Sequence, residues 1–176
     1  MKRGIFLDRD GVINEAPIKA GIPQAPKIAA DVILLPGALR AINVFRELNL
    51  EIVIITNQPD VKRGRTKRED AEAINAQISK YTGIENIYTC WHDDNDECEC
   101  RKPKAGLILD SARDLKIDLS GSFLVGDRWK DIQAAQSVGL TALFVNYNYL
   151  EAQPKPPYKE VDSLFDASQH IKRSLR

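Results

Sequence analysis

Asp8 and Asp10 stand two residues apart in the run FLDRDGVIN, directly after the apolar stretch Ile5 to Leu7, with Gly11 to turn the chain. Carboxylates at that spacing share one crevice. They can hold Mg²⁺, a hard ion that prefers oxygen, or divide labour, with Asp8 as nucleophile and Asp10 giving and then taking a proton. The plainer reading is two acids on a solvated turn. A second apolar run, LEIVIITNQPD, ends in Thr56, Asn57 and Gln58, whose hydroxyl and amides can hold a phosphoryl oxygen with the help of backbone N–H groups, or simply cap a turn. A third, SFLVGD, ends in Asp127 and is followed by Arg128. Lys102 is the leading candidate for the cation that faces a phosphate opposite a metal.

The chain's three cysteines, Cys90, Cys98 and Cys100, fall with His92 in the run CWHDDNDECECRKP. Three thiolates and an imidazole form a Cys₃His set of the tetrahedral kind zinc prefers. The competing readings are a redox pair, a catalytic metal, and a polar loop with ordinary cysteines. The CxC spacing lacks the two intervening residues of the usual dithiol motif, and a reducing compartment disfavours a disulfide. Four protein ligands leave zinc no open position for water, so a structural Zn²⁺ in a loop over residues 90–100 is expected. Asp93, Asp94, Asp96, Glu97 and Glu99 crowd these ligands without an obvious task.

Elements must bring these distant residues together. Short Ile- and Val-rich runs at Ile5 to Leu7, Ile52 to Ile55, Ile87 to Tyr88, Phe123 to Val125 and Ala142 to Val145 alternate with helix-length segments. That pattern predicts an α/β three-layer fold with a central parallel sheet covered on both faces. In such a sheet the strand C-termini meet, and the acids and hydroxyl at three of them converge. Helices are expected after Pro36-Gly37 with Leu39, Ile42, Phe45 and Leu48 on one face; from a Thr66 cap to Gly83; over Lys104 to Leu115; over Asp131 to Val138; and over about Ser163 to Ser174. A short strand is expected near Val32 to Leu35. The Pro- and Gly-rich segments Asn14 to Asp31 and Tyr149 to Tyr158 read as a long loop and an extended connector.

A chain of 176 residues can bury one core, so 1–176 reads as a single domain. With 25 basic and 25 acidic residues the net charge is zero, and nothing steers the whole surface toward nucleic acid or an anionic membrane. No run approaches the roughly 20 apolar residues of a membrane span, and the N-terminus lacks a secretion signal. A cytoplasmic monomer is the expectation. The basic run Lys62, Arg63, Arg65, Lys67 and Arg68 reads as a solvated loop and helix start.

In order along the chain, Asp8-Arg9-Asp10-Gly11, Thr56-Asn57-Gln58, the CxH and CxC pairs, Cys100-Arg101-Lys102-Pro103 and Gly126-Asp127-Arg128 resemble the motif series of the haloacid dehalogenase-like phosphatases, and within them the branch of heptose-bisphosphate and histidinol phosphatases. The resemblance spans about Ile5 to Val145. It implies a Rossmann-like core, with Asp8 attacking phosphorus to form an aspartyl-phosphate and Asp10 protonating the leaving oxygen and then activating water. It implies Mg²⁺ held by Asp8, the backbone carbonyl of Asp10 and Asp127; Thr56 and Lys102 stabilising the phosphoryl group; and Asn57, Gln58, Arg101 and Arg128 binding substrate. Asp131 reads either as an anchor for Arg128 or a metal-bound water, or as an ordinary acid at a helix N-terminus. Neither interval between motifs leaves room for a sizeable cap domain.

The implied substrate is a small phosphorylated sugar. The five-residue interval between the CxH and CxC pairs resembles the histidinol phosphatases, whereas Lys104-Ala105-Gly106 and the absence of a fused dehydratase domain favour the 7-phosphate of D-glycero-D-manno-heptose 1,7-bisphosphate. The segment Ala16 to Pro26 departs from the heptose pattern. Two other classes compete: a non-catalytic phosphoacceptor or zinc-stabilised binding module, which does not need a second acid at Asp10, and a nucleic-acid binder, for which the five acids of the zinc loop are a poor match.

Overall fold

The computed structural model describes residues 2–175. Six strands form one parallel sheet: β1 (Lys2–Leu7), β4 (Glu51–Asn57), β5 (Ile87–Cys90), β6 (Ile117–Gly126), β7 (Thr141–Val145) and β8 (Lys159–Val161), in the order β5-β4-β1-β6-β7-β8. The two-residue strands β2 (Ile18–Lys19) and β3 (Ile22–Pro23) pair separately as an antiparallel hairpin. The helices are α1 (Ala38–Glu47), α2 (Pro59–Lys62), α3 (Arg68–Thr82), α4 (Gly106–Leu115), α5 (Trp129–Ser137) and α6 (Leu164–Ser174).

Strand alternation explains why both faces of the sheet are dry. Ile5, Leu7, Ile52, Ile54, Val125 and Leu143 point to one face, where they pack with residues of α1, α3 and α6. Phe6, Val53, Ile55, Leu124, Ala142 and Phe144 point to the other, against α4 and α5. A strand buried on both sides reads as a continuous apolar run, which is why periodicity locates these strands without orienting them.

The expected strands and helices form, with instructive departures. The strand expected near Val32 to Leu35 is reduced to one isolated bridge between Leu34 and Asn14, beside a single 3₁₀ turn at Ala29–Asp31. Thr66 does not cap α3: its backbone N–H is donated to Asp60 O at 3.2 Å, and the helix starts two residues later with no side-chain cap. On α1, Leu39 lies exposed, and Ala38, Ala41, Ile42, Val44 and Phe45 make the buried face. Gly83 ends α3 in the left-handed conformation, as the sequence predicts, and Ser163, at the expected start of α6, caps that helix by accepting from Asp166 N. The loop after β1 contains the β2–β3 hairpin, and β8 lies beyond the proline-rich connector; no periodic signal announces elements this short.

Strand order reverses at β1, with β4 and β5 on one side and β6, β7 and β8 on the other. The crevice outside the C-terminal ends at such a switch point is where parallel α/β sheets bind ligands.

Candidate active site

Asp8 follows the last residue of β1, Thr56 and Asn57 end β4, and Asp127 follows the last residue of β6, so these side chains come together from the ends of three adjacent strands. Lys102 arrives from the loop after β5. Its Nζ lies 2.7 Å from Asp8 Oδ1, 2.6 Å from Asp131 Oδ1 and 3.0 Å from the carbonyl of Ile55, and it is almost wholly buried. Burial works against the ammonium charge, but Asp131 and Asp8 outweigh it and hold the Lys102 pKa above its ordinary value. At Asp8 burial dominates, with Asp131 and Asp10 adding to it against Lys102, and the carboxyl is pushed up to about 6.

Asp8, Asp127 and Asp131 can each bring one carboxylate oxygen within 4.8 Å of the others, all three residues being buried. Three carboxylates face one ammonium, an excess of two negative charges. Asp127 Oδ1 is buried without a hydrogen-bond partner. Burial, then Asp8 and Asp131, push the Asp127 pKa well up. A hard divalent cation answers both the surplus charge and the orphaned oxygen, so these residues fit Mg²⁺. Gly126 permits the arrangement, since a Cβ there would fall 2.2 Å from Asp131 Cβ.

Asp10 belongs to a separate network. Arg9, wholly buried, donates from Nε to Asp10 Oδ1 at 3.2 Å and from Nη2 to Oδ2 at 2.9 Å, and its Nη1 reaches Asn75 on α3. Asn14 and Gln58 each donate to Asp10 at 2.9 Å. Asp10 is therefore aimed by four donors.

The residues expected to touch substrate fall into two groups. Asn57 brackets Lys102, donating to its carbonyl at 3.1 Å and accepting from its N–H at 3.2 Å, while Gln58 donates to Thr56 Oγ1 at 2.8 Å as well as to Asp10. Both amides hold catalytic candidates in place. Arg101 and Arg128 line the mouth of a crevice of about 310 Å³, Arg101 tied to Asp94 at 2.7 Å and Arg128 forked onto Glu151. Ile22 and Pro23 of the small hairpin also line the crevice.

Cys90, His92, Cys98 and Cys100 gather in a second cluster, in the loop that leads to Arg101 and Lys102. Their sulfurs lie 3.2 to 3.7 Å apart, and His92 Nδ1 is 3.2 Å from Cys100 Sγ and 3.7 Å from Cys90 Sγ. These separations are too long for disulfides and approach the roughly 3.8 Å edge of a tetrahedron with metal–sulfur bonds of about 2.3 Å. The set fits Zn²⁺. The neighbouring acids build the loop: Asp93 accepts from Asp94 N, and Asp96 accepts from Asp93 N, closing a 3₁₀ turn at Asp94–Asp96. The basic run corrects the expectation of a merely solvated segment. Lys62 pairs with Asp96, Arg63 with Asp93, and Arg68 stacks over Trp91 at 3.7 Å, so α2 and the start of α3 dock the zinc loop.

Three further residues carry no sequence signal for their places in the site. Arg9 lies inside a motif that gives no reason for its burial, Tyr149 lies in a connector, and Glu151 has no partner visible in the sequence. Asp131 reads from the sequence as an anchor for Arg128 or a metal-bound water, or as a helix-end acid; its carboxylate accepts from the N–H of Arg128 at 3.0 Å and also contacts Lys102.

A D-glycero-beta-D-manno-heptose-1,7-bisphosphate 7-phosphatase of Bordetella bronchiseptica is 34% identical over 140 residues, which cover 77% of this chain and 75% of that one. The chain belongs to the haloacid dehalogenase-like phosphatases. Within this family the enzyme of the same name from Pseudomonas putida is 30% identical over 97% of this chain and 98% of its own. A family model described as HAD-hydrolase-like matches residues 99–166, from the zinc loop through the Asp127 strand end to α6. The crystal structure of the B. bronchiseptica D,D-heptose 1,7-bisphosphate phosphatase complexed with magnesium and phosphate superposes with a TM-score of 0.84 at 28% identity, covering 99% of both chains. The likeness thus extends over nearly the whole of both chains. None of the described helices is long and apolar enough to cross a membrane.

Proposed function

We propose that this phosphatase is a Mg²⁺-dependent phosphomonoesterase that removes the 7-phosphate of D-glycero-D-manno-heptose 1,7-bisphosphate through an aspartyl-phosphate on Asp8. The observation that carries the chemistry is the buried contact of Lys102 with both Asp8 and Asp131, next to an orphaned oxygen on Asp127. A carboxylate cannot approach a phosphate dianion unless charge is offset.

Asp8 attacks phosphorus, forming the acyl-phosphate bond while the bond to the sugar oxygen breaks. Asp10 gives that oxygen its proton and then takes one from the water that hydrolyses the intermediate. Lys102 and Thr56 hold the non-bridging oxygens. Asp8, the backbone carbonyl of Asp10, and Asp127 would hold Mg²⁺, which when bound would supply a counter-charge to the phosphoryl oxygens. Asn57 and Gln58 keep Lys102, Thr56 and Asp10 in register, and Arg101 and Arg128 meet the rest of the substrate at the crevice mouth. A structural Zn²⁺ on Cys90, His92, Cys98 and Cys100 fixes the loop that carries Arg101 and Lys102.

The substrate assignment draws on the names of the relatives, which specify the β-anomer, and on the open, capless crevice, whose cationic rim suits a second phosphate. In this reading 1–176 works as one domain, a monomer in the cytoplasm, without a nucleic-acid or membrane partner. Phosphate release from both heptose 1,7-bisphosphate anomers and from histidinol phosphate tests it. The β-heptose compound is expected to have the highest kcat/KM; a preference for histidinol phosphate would overturn the substrate and leave the Asp8 chemistry standing.

A further inference from the structure

The proline-rich connector after β7 returns to the active site at three consecutive residues. Tyr149, buried, donates its phenolic hydroxyl to Asp127 Oδ2 at 2.7 Å. Leu150 donates its N–H to the carbonyl of Gly21 in the turn of the small hairpin, at 2.9 Å. Glu151 accepts the fork of Arg128. Further along, Gln136 on α5 donates to the carbonyls of Lys155 and Pro157, pinning the far end of the connector. Tyr147 stacks on Tyr149, with centroids 5.5 Å apart.

We infer that Tyr149 is a positioning residue for the divalent-cation site: its hydroxyl engages Oδ2 of Asp127 and thereby presents Oδ1 to the cation. A carboxylate on a short side chain can exchange its two oxygens by rotating about its last bond. The phenol removes that freedom, because only one oxygen can accept its proton at 2.7 Å. The other oxygen is the buried, unpartnered one. The backbone is shaped to the same contact: a Cβ at Gly11, whose φ is +86°, would fall 2.0 Å from Asp127 Oδ2 and 3.2 Å from the Tyr149 oxygen, so only glycine lets the chain pass there. Donors that orient metal-binding carboxylates typically change affinity by about 10–100-fold when removed.

The inference rests on the Mg²⁺ site of the proposed function, and the two fail differently. Mg²⁺ binding is measured by calorimetry without substrate on wild type, Tyr149→Phe and Tyr147→Phe. The expected result is a dissociation constant raised about 10–100-fold in Y149F and nearly unchanged in Y147F. In assays Y149F should need correspondingly more Mg²⁺ for half-maximal rate while recovering most of its kcat at saturating Mg²⁺. A purely structural tyrosine would lower the folded fraction and leave the Mg²⁺ requirement where it was. Wild-type protein labelled with 3-fluorotyrosine gives a reading that does not depend on the variant folding: among its five tyrosines, one ¹⁹F resonance should shift on Mg²⁺ titration. If wild type binds no Mg²⁺, the metal reading falls. If wild type binds and Y149F binds equally well, or no fluorotyrosine signal responds, the role of Tyr149 is overturned.

Discussion

Lys102 Nζ and Asp8 Oδ1 lie 2.7 Å apart, although 94 positions separate them in the chain. The contact is made by two elements with different supports. Asp8 extends a central strand whose side chains are buried on both faces. Lys102 sits on a loop that depends on the Cys₃His cluster behind it and on Asn57, which grips both sides of its peptide backbone.

Removing the ammonium leaves Asp8 and Asp131 facing each other in a dry site. Lys102→Met is expected to lower unfolding free energy by about 3–5 kcal/mol in metal-free protein and to reduce turnover at least ~100-fold. Urea denaturation in EDTA and steady-state phosphate release measure the two effects.

Asp131→Asn keeps an acceptor for the Arg128 N–H and removes the charge beside Lys102. Turnover should fall about 10–100-fold with little loss of structure. Circular dichroism together with kcat/KM checks this; a variant as active as wild type would return Asp131 to the role of a simple helix-end acid.

Protons and Mg²⁺ compete at Asp8. Its folded pKa, about 6, is raised above the ordinary carboxylate value. In metal-free protein this group's contribution therefore favours folding most below its unfolded pKa and is progressively lost as pH rises to about 6. Mg²⁺ needs the carboxylate, so its dissociation constant should rise roughly tenfold between about pH 7 and pH 5. Calorimetric titration at the two pH values tests the sign.

Stripping zinc, or Cys98→Ser, should release the loop that carries Arg101 and Lys102. Loss of a few kcal/mol in a chain of this size corresponds to a fall in melting temperature of roughly 5–10 °C. Activity should fall with it and return when Zn²⁺, but not Mg²⁺, is added back to the stripped wild-type protein.

The sequence makes strand ends legible because an apolar run that stops at an acid or hydroxyl is a local signal. Asp8, Thr56 and Asp127 are of that kind, and the parallel sheet then supplies their convergence. The cysteine and histidine spacing is equally local. Arg9 is hidden for the opposite reason: its burial depends on Asn75, 66 positions away on α3, and nothing beside it announces that partner. Asp131 carries two meanings at once, helix-end acid and partner of Lys102, and only the fold selects between them. Tyr149 and Glu151 sit in a proline-rich connector whose path over the surface no periodicity encodes. The loop acids around His92 look like competitors for the metal until the 3₁₀ turn and the docking of Lys62 and Arg63 give each a task.

In the proposed mechanism Asp8 is the group that accepts the phosphoryl from a heptose bisphosphate. Its most direct test is a single turnover with D-glycero-β-D-manno-heptose 1,7-bisphosphate carrying ³²P at the 7-position, quenched in acid during the burst and digested to peptides. The label is expected on the N-terminal peptide containing Asp8 in the wild-type, Mg²⁺-loaded protein, and absent in Asp8→Asn. Wild-type turnover that leaves no label on that peptide, or an Asp8→Asn variant that releases phosphate at the wild-type rate, would contradict it.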